Sequence, residues 1–336
     1  MSGPPEAEPL APGLATSIGS LPHEDAHAAA ELVLHRHPAL PAAPELPRRS
    51  TLEGMIERSV RALPEVQVDA RGDLRLVDVL DAPPRPVFDD DAHAGLLAFL
   101  DVAASSPTPP RRVKVQTAGP LTLGVALAHA GMPVARAFRR AGELARAWAG
   151  ALEELVTARL PGTPTVLFLD EPALVLWRLG RGPLEHEAAV DLLSGALAAA
   201  ACTTGVHTCG AADVRLALEA GPRVLGLDVR REVIDDAAVI ARHLDAGGWV
   251  AWGAVPTHRP VGQSCDPLWR ELVSLWCELT RRGCDPVLLR TQGLVTPECG
   301  LAGHSEEQAD HLLGLAREMA NRVHDHAVAA RLTVGA

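Results

Sequence analysis

The chain has 336 residues, a formal net charge of −11 at pH 7, 47% apolar residues, four Phe and no Tyr. The negative balance argues against nucleic acid or an anionic membrane as partner, because phosphate contact needs clustered Lys and Arg, and no mechanism can use a tyrosine phenol. The length suits one α/β barrel, and no window is apolar for long enough to span a membrane.

Residues 1–13, MSGPPEAEPLAPG, are acidic and Pro-rich and lack the basic-then-apolar order of a signal peptide. They read as a disordered leader before one domain over 14–336. The expected location is the cytoplasm, where thiols stay reduced. The six cysteines are therefore not a disulfide framework. Cys202, Cys265, Cys277 and Cys284 read as small core residues or surface thiols.

Eight short apolar runs follow in chain order: LATSIGS (14–20), PALPAAPEL (38–46), RVKVQTAG (112–119), TVLFLDE (165–171), TGVHTC (204–209), RVLGLDV (223–229), WVAWGAV (249–255) and GLVTPEC (293–299). The second is the weakest strand, since three prolines do not suit a central position. Helical patterns lie between the later runs, clearest at 135–158, 185–201, 235–246, 267–282 and 305–329. The last opens with Ser305 and, three residues on, Gln308, the spacing of a capping box. Eight strands alternating with helices predict a (β/α)8 TIM barrel. The stretch 60–110, with DVLDAPPRP and ASSPTPP, reads as an excursion or small hairpin before the third strand.

Polar residues collect at the ends of these runs, in SIGS, PEL, TAGP, LDEP, HTCG, LDV, VPTH and PECG. In a barrel that is the face on which active sites are built, so the chain is expected to be an enzyme. Residues i and i+2 of a strand point to one side. His207 and Cys209 can therefore grip one ion, with Cys299 as a third ligand and Asp228 as a fourth or a supporting group. One His, two Cys and a carboxylate suit zinc. The alternative is a core histidine and two inert thiols. His23, His35, His37 and the cluster at 324–326 read as solvated.

Taken together, TSIGSLPH, LFLDEPAL, GVHTCG and VTPECGLAG resemble the catalytic barrel of cobalamin-independent methionine synthase, in order from about residue 14 to 304. That family belongs to a superfamily with uroporphyrinogen decarboxylase and zinc-dependent corrinoid and coenzyme M methyltransferases. The chain resembles its short single-barrel members. The resemblance implies zinc on His207, Cys209 and Cys299, with Asp228 where the family has a longer Glu, a reach about 1.5 Å shorter. It implies that Ile18, Gly19, Ser20, Glu45 and Asp170 hold homocysteine. It also implies that His258 of VPTH is the proton donor, although the family's aspartate two residues earlier is Pro256 here. Ser20 could instead cap the following helix, and His258 could be a surface histidine.

The implied activity is transfer of a methyl group to homocysteine or a similar amino-acid thiol. The expected donor is methylcobalamin or a corrinoid protein, with methyltetrahydrofolate as the other candidate. Two other readings stay open: a superfamily alkyltransferase acting on a coenzyme M-type thiol or an epoxide, and a non-catalytic zinc or corrinoid binder.

Overall fold

A computed structural model describes residues 10–78 and 81–334. Its centre is a curled sheet of six parallel strands in sequential order. These are β3 (Val113–Ala118), β4 (Thr165–Asp170), β5 (Thr203–His207), β6 (Val224–Asp228), β7 (Trp249–Val255) and β8 (Gly293–Pro297). The excursion before β3 contains the expected hairpin, β1 (Val66–Val68) antiparallel to β2 (Leu74–Leu76). It also contains a helix, Asp90–Ser105, that the sequence reading left out.

The described residues thus show six regular strands in the central sheet, not eight. The runs at 14–20 and 38–46 are extended segments joined by single parallel bridges: Ala15 to Val295 of β8, Ser20 to Glu45, and Ala42 to Lys114 of β3. Composition explains the second of them. Pro38, Pro41 and Pro44 have no N–H to give, so the second segment bonds through Ala43 N to Lys114 O (2.9 Å) and Glu45 N to Gly19 O (3.1 Å).

Register and period-two alternation sort the strand residues. Outward-facing Val115, Leu167, Leu169, Val206, Leu225, Trp252 and Val295 join the large core beneath the helices. Inward-facing Val166, Phe168, Val224, Ala251 and Leu294 form a second, smaller core inside the curl, together with Leu10, Leu40 and Trp249. Residues 1–9 of the expected leader lie outside the described residues. Residues 10–13 are not loose: Leu10 plugs the inner core, and Gly13 N donates to Gly293 O at 2.8 Å.

The helices match their patterns closely, at Val134–Arg159, His186–Leu197, Ala237–Asp245, Asp266–Arg281 and Glu306–Val334. The capping box is formed, with Gln308 N donating to Ser305 Oγ (3.2 Å) and Ser305 N to Gln308 Oε1 (3.1 Å). None of the six cysteines is in a disulfide; Cys265 and Cys284 are buried and Cys277 is exposed. Among the described residues no helix is long and apolar enough to cross a membrane.

Two histidines expected in solvent are buried, His23 and His37. His37 closes the helix Ala26–Arg36 against the last helix, and its Nε2 meets Leu313 O at 3.1 Å. Burial lowers its pKa to about 4. The folded chain keeps His37 neutral where the unfolded chain protonates it near its ordinary value of 6.5. The unfolded state therefore binds the extra proton between those values, and stability should drop as pH falls through that window, by about 3 kcal/mol in all. Denaturant unfolding at pH 7 and pH 4 should show that loss reduced in His37→Gln, which stays neutral and can still donate to Leu313 O.

Candidate metal centre

The inner face of the sheet turns from apolar to polar along its axis. Ala118, Asp170 and His207 are in register across β3, β4 and β5, so their side chains share one face. His207 is the last residue of β5, and Cys209 follows just past the strand end. Cys299 follows β8 at an equivalent height. The ligand atoms of His207, Cys209 and Cys299 lie within 4.8 Å of one another, the two sulfurs 4.0 Å apart. Among the described residues this is the one group of three or more His, Cys, Asp or Glu that meets that criterion.

The burial and charge state of these groups fit a cation. His207 Nε2 is buried with no hydrogen-bond partner. An orphaned buried nitrogen is costly unless a ligand satisfies it. The proximity of Cys209 and His207 lowers the pKa of the Cys299 thiol, while the same sulfur contact and burial raise that of Cys209. One soft thiolate is thus favoured even before a metal is considered. Two sulfurs and one imidazole suit zinc and leave a fourth position open.

Asp228 is not part of this group. Its Oδ2 accepts from Gly210 N at 2.8 Å, which holds the turn after Cys209, and its Oδ1 is buried without a partner. Burial raises its pKa to about 6. The short side chain therefore ties the turn after Cys209 to the end of β6.

The other expected site residues divide into two sets. Ser20 does not cap the following helix; Asp25 does, accepting from His27 N (2.8 Å) and Ala28 N (3.1 Å). Ser20 instead stands against the loop that carries Cys299. Its O accepts from Leu301 N at 2.8 Å, and a Cβ at Gly300 would lie 1.9 Å from its Oγ. Gly19 has φ +147°, and a Cβ there would meet Gln116 Nε2 at 2.3 Å, so only glycine fits. Ile18 O accepts from Lys114 Nζ at 2.6 Å.

Asp170 is buried, its Oδ1 has no partner, and burial raises its pKa to about 6 against the pull of Lys114. Its neighbour Glu171 is spent on the fold. It accepts from Leu121 N (2.8 Å), Thr122 N (2.7 Å) and Thr122 Oγ1 (2.6 Å) at the start of the helix Pro120–His129. Glu45 is buried in an ion pair with Arg58.

His258 has a carboxylate partner after all, although Pro256 cannot supply it. Its Nδ1 meets Glu298 Oε2 at 2.7 Å, with the histidine side chain 61% exposed and the glutamate 9%. Glu298 sits beside Cys299, so this pair adjoins the metal loop. The sequence reading missed Glu298, Lys114, Gln116 and Arg58. The first is inside the PECG motif, and the next two alternate on β3; Arg58 carries no local signal.

No family model matches the chain, and no curated protein matches it. Among the solved structures that share its fold are two methionine synthases. One is a B12-independent methionine synthase from a Shewanella species in complex with selenomethionine, with a TM-score of 0.60, 13% identity, and coverage of 95% of this chain and 100% of that one. The other is a putative vitamin-B12-independent methionine synthase from Listeria monocytogenes, with a TM-score of 0.57, 14% identity, and coverage of 89% and 86%. At such identity the likeness is one of fold.

The purified protein should bind zinc near one equivalent by metal analysis. Cys209→Ser, Cys299→Ser and His207→Ala should each lower zinc affinity by more than the roughly 10- to 100-fold typical of losing an outer-shell partner. Retention of the metal by all three would remove the site.

Proposed function

We propose that the chain is a zinc-dependent methyltransferase that passes a methyl group to homocysteine or a similar amino-acid thiol, giving methionine. The observation that carries this reading is the His207, Cys209 and Cys299 group, with Asp170, a buried carboxylate lacking a donor, on the same inner face one strand away. The likeness in fold to two structures described as methionine synthases supports it.

Zinc held by those three residues would keep the acceptor's sulfur deprotonated, a form that is only about 3% of a free thiol at pH 7. The chain's own residues do the rest. Asp170 would receive the ammonium of the amino-acid thiol, because its Oδ1 is desolvated and without a partner. Lys114 holds the Ile18 carbonyl, which fixes the strand-end turn through Gly19 and Ser20 next to the Cys299 loop. Fixed placement of acceptor and donor contributes much of the rate in a displacement of this kind. Glu298 holds His258 at Nδ1 and leaves Nε2 to give a proton to the leaving nitrogen if the donor is methyltetrahydrofolate; a methylcobalamin donor leaves as cobalt(I) and needs no such proton.

The expectation of methylcobalamin or a corrinoid protein finds no support in the structural neighbours, both described as B12-independent. Methyltetrahydrofolate and methylcobalamin are the two donors to compare. The partners in this reading are a small-molecule thiol and that donor, in the cytoplasm. A sulfonate-bearing acceptor of the coenzyme M type is disfavoured, because the buried carboxylate of Asp170, its Oδ1 unpartnered, shares the inner face with His207 and would repel a second anion.

The zinc-loaded protein should form methionine from homocysteine with one of the two donors. His258→Ala should lower kcat by about 100-fold or more, and Glu298→Gln by about tenfold, with a shifted pH profile in the latter. Failure to methylate any of several thiols from either donor would sink the transferase reading.

A further inference from the structure

At the end of the curled sheet opposite the metal centre lies an open cavity of about 1090 Å³, room enough for a metabolite-sized ligand. Thr165 and Thr203, which open β4 and β5, line it, as do Arg223 and Gly248, which directly precede β6 and β7. His207 closes β5 at its other end, about 13 Å along the strand from Thr203. The cavity shares no residue with the candidate metal site.

Four arginines, Arg112, Arg215, Arg223 and Arg242, line the cavity against two carboxylates, Glu153 and Glu219. That is a formal surplus of two positive charges in a chain whose own balance is −11. Glu219 accepts from Arg215 Nε at Oε1 (2.7 Å) and meets His186 Nε2 at Oε2, while Glu153 Oε2 accepts from Ala201 N at 2.8 Å. The guanidiniums of Arg223 and Arg242 have neither a hydrogen bond nor an ion pair among the described residues. Arg242 stands in the last turn of the helix Ala237–Asp245, where an arginine commonly serves its own helix's carbonyls. It donates to none of them.

The turn beside these cations is cleared of side chains. Gly247 has φ +81°, and a Cβ there would lie 3.3 Å from Arg223 Nη1. Gly248 has no left-handed backbone to account for it. A Cβ at Gly248 would lie 2.2 Å from His243 Cε1 and 2.4 Å from each ring nitrogen. The ring is pinned in that place by Trp249 O, 3.1 Å from its Nε2, and the charge of Arg223 acts on it. The two glycines thus let Arg223 and His243 lie directly on the backbone. Pro222, Leu218 and Val239 add apolar surface to the same cavity.

We propose that this cavity binds a small organic phosphate, its phosphate group received by Arg223 and Arg242 and its carbon body lying on Pro222, Leu218 and Val239. A phosphate monoester carries close to two negative charges near neutral pH, and its oxygens match the guanidinium fork. A monocarboxylate would leave one of the two guanidiniums unmatched, and a dicarboxylate divides its charge between two ends. The site is independent of the methyltransferase reading.

The test is titration calorimetry of the full chain with phenyl phosphate, inorganic phosphate and succinate at physiological salt. Phenyl phosphate should bind at one equivalent, about tenfold or more tighter than either of the others, because only it buries an apolar body beside a compact dianion. Arg223→Gln and Arg242→Gln should each weaken it by about tenfold or more, as loss of a charge-assisted bond does. Both arginines are exposed, so the variants should keep the thermal stability and zinc content of the wild type. No binding of phenyl phosphate up to about 10 mM, equal affinity for succinate, or an affinity unmoved in the Arg223→Gln/Arg242→Gln double variant would overturn the proposal. Equal affinity for inorganic phosphate would overturn the organic ligand and leave a site for the free ion.

Discussion

A parallel strand shows the same face at every second residue, and a curling sheet turns that face toward a common axis. Everything at the candidate site depends on this constraint. It stacks Val166, Phe168, Val224, Ala251 and Leu294 into an inner apolar plug. Further along the same inner face, at the strand ends, it presents Asp170, His207, Asp228 and Thr296, all buried. The strands stop there, so the next residues, Cys209 and Cys299, enter from loops onto a rim that the plug holds rigid. A side chain placed by β5 and another placed by β8 can then approach within 4.0 Å although ninety positions separate them in the chain.

Burying so many polar groups at one level has a consequence. Each must be satisfied within the layer or by something that enters it. Arg58, Glu45, Gln116, Lys114 and the Ile18 carbonyl satisfy one another. Glu171 is satisfied by a helix start. Atoms left without partners include His207 Nε2, Asp170 Oδ1 and Asp228 Oδ1. These three lie at the strand ends around the two cysteines, where a metal and a cationic group would each complete what the protein leaves undone.

The fold also pairs groups that lie far apart in the sequence. Pro256 removes the aspartate expected before His258, yet the histidine still has a carboxylate, contributed by Glu298 after β8. The register of β7 and β8 makes this available, because Gly253 pairs with Thr296 and Val255 with Pro297, which brings the two loops side by side. Asp228 likewise holds Gly210 N, so the turn after Cys209 is tied to the end of β6.

Alternation, strand-end polarity and motif spacing made the parallel α/β architecture, the last six strands, the main later helices, the capping box at Ser305 and the triad His207, Cys209 and Cys299 readable from sequence. Each of these rests on local periodicity or on a rule that places all strand ends at one rim. What the local pattern could not decide came from contacts between distant segments. The second run forms single bridges because its prolines lack donors; the first, which has no proline, meets β8 at Ala15 and the second run at Ser20. His37 is buried because the last helix covers it. Ser20 faces Gly300 and leaves the capping of the next helix to Asp25. Glu45 is neutralised by Arg58, a residue from a short helix with no motif of its own. Sequence spacing tells which residue types can reach the rim; only the packed fold tells which of them already have a partner there, because a buried charge is defined by its neighbours and those arrive from anywhere in the chain.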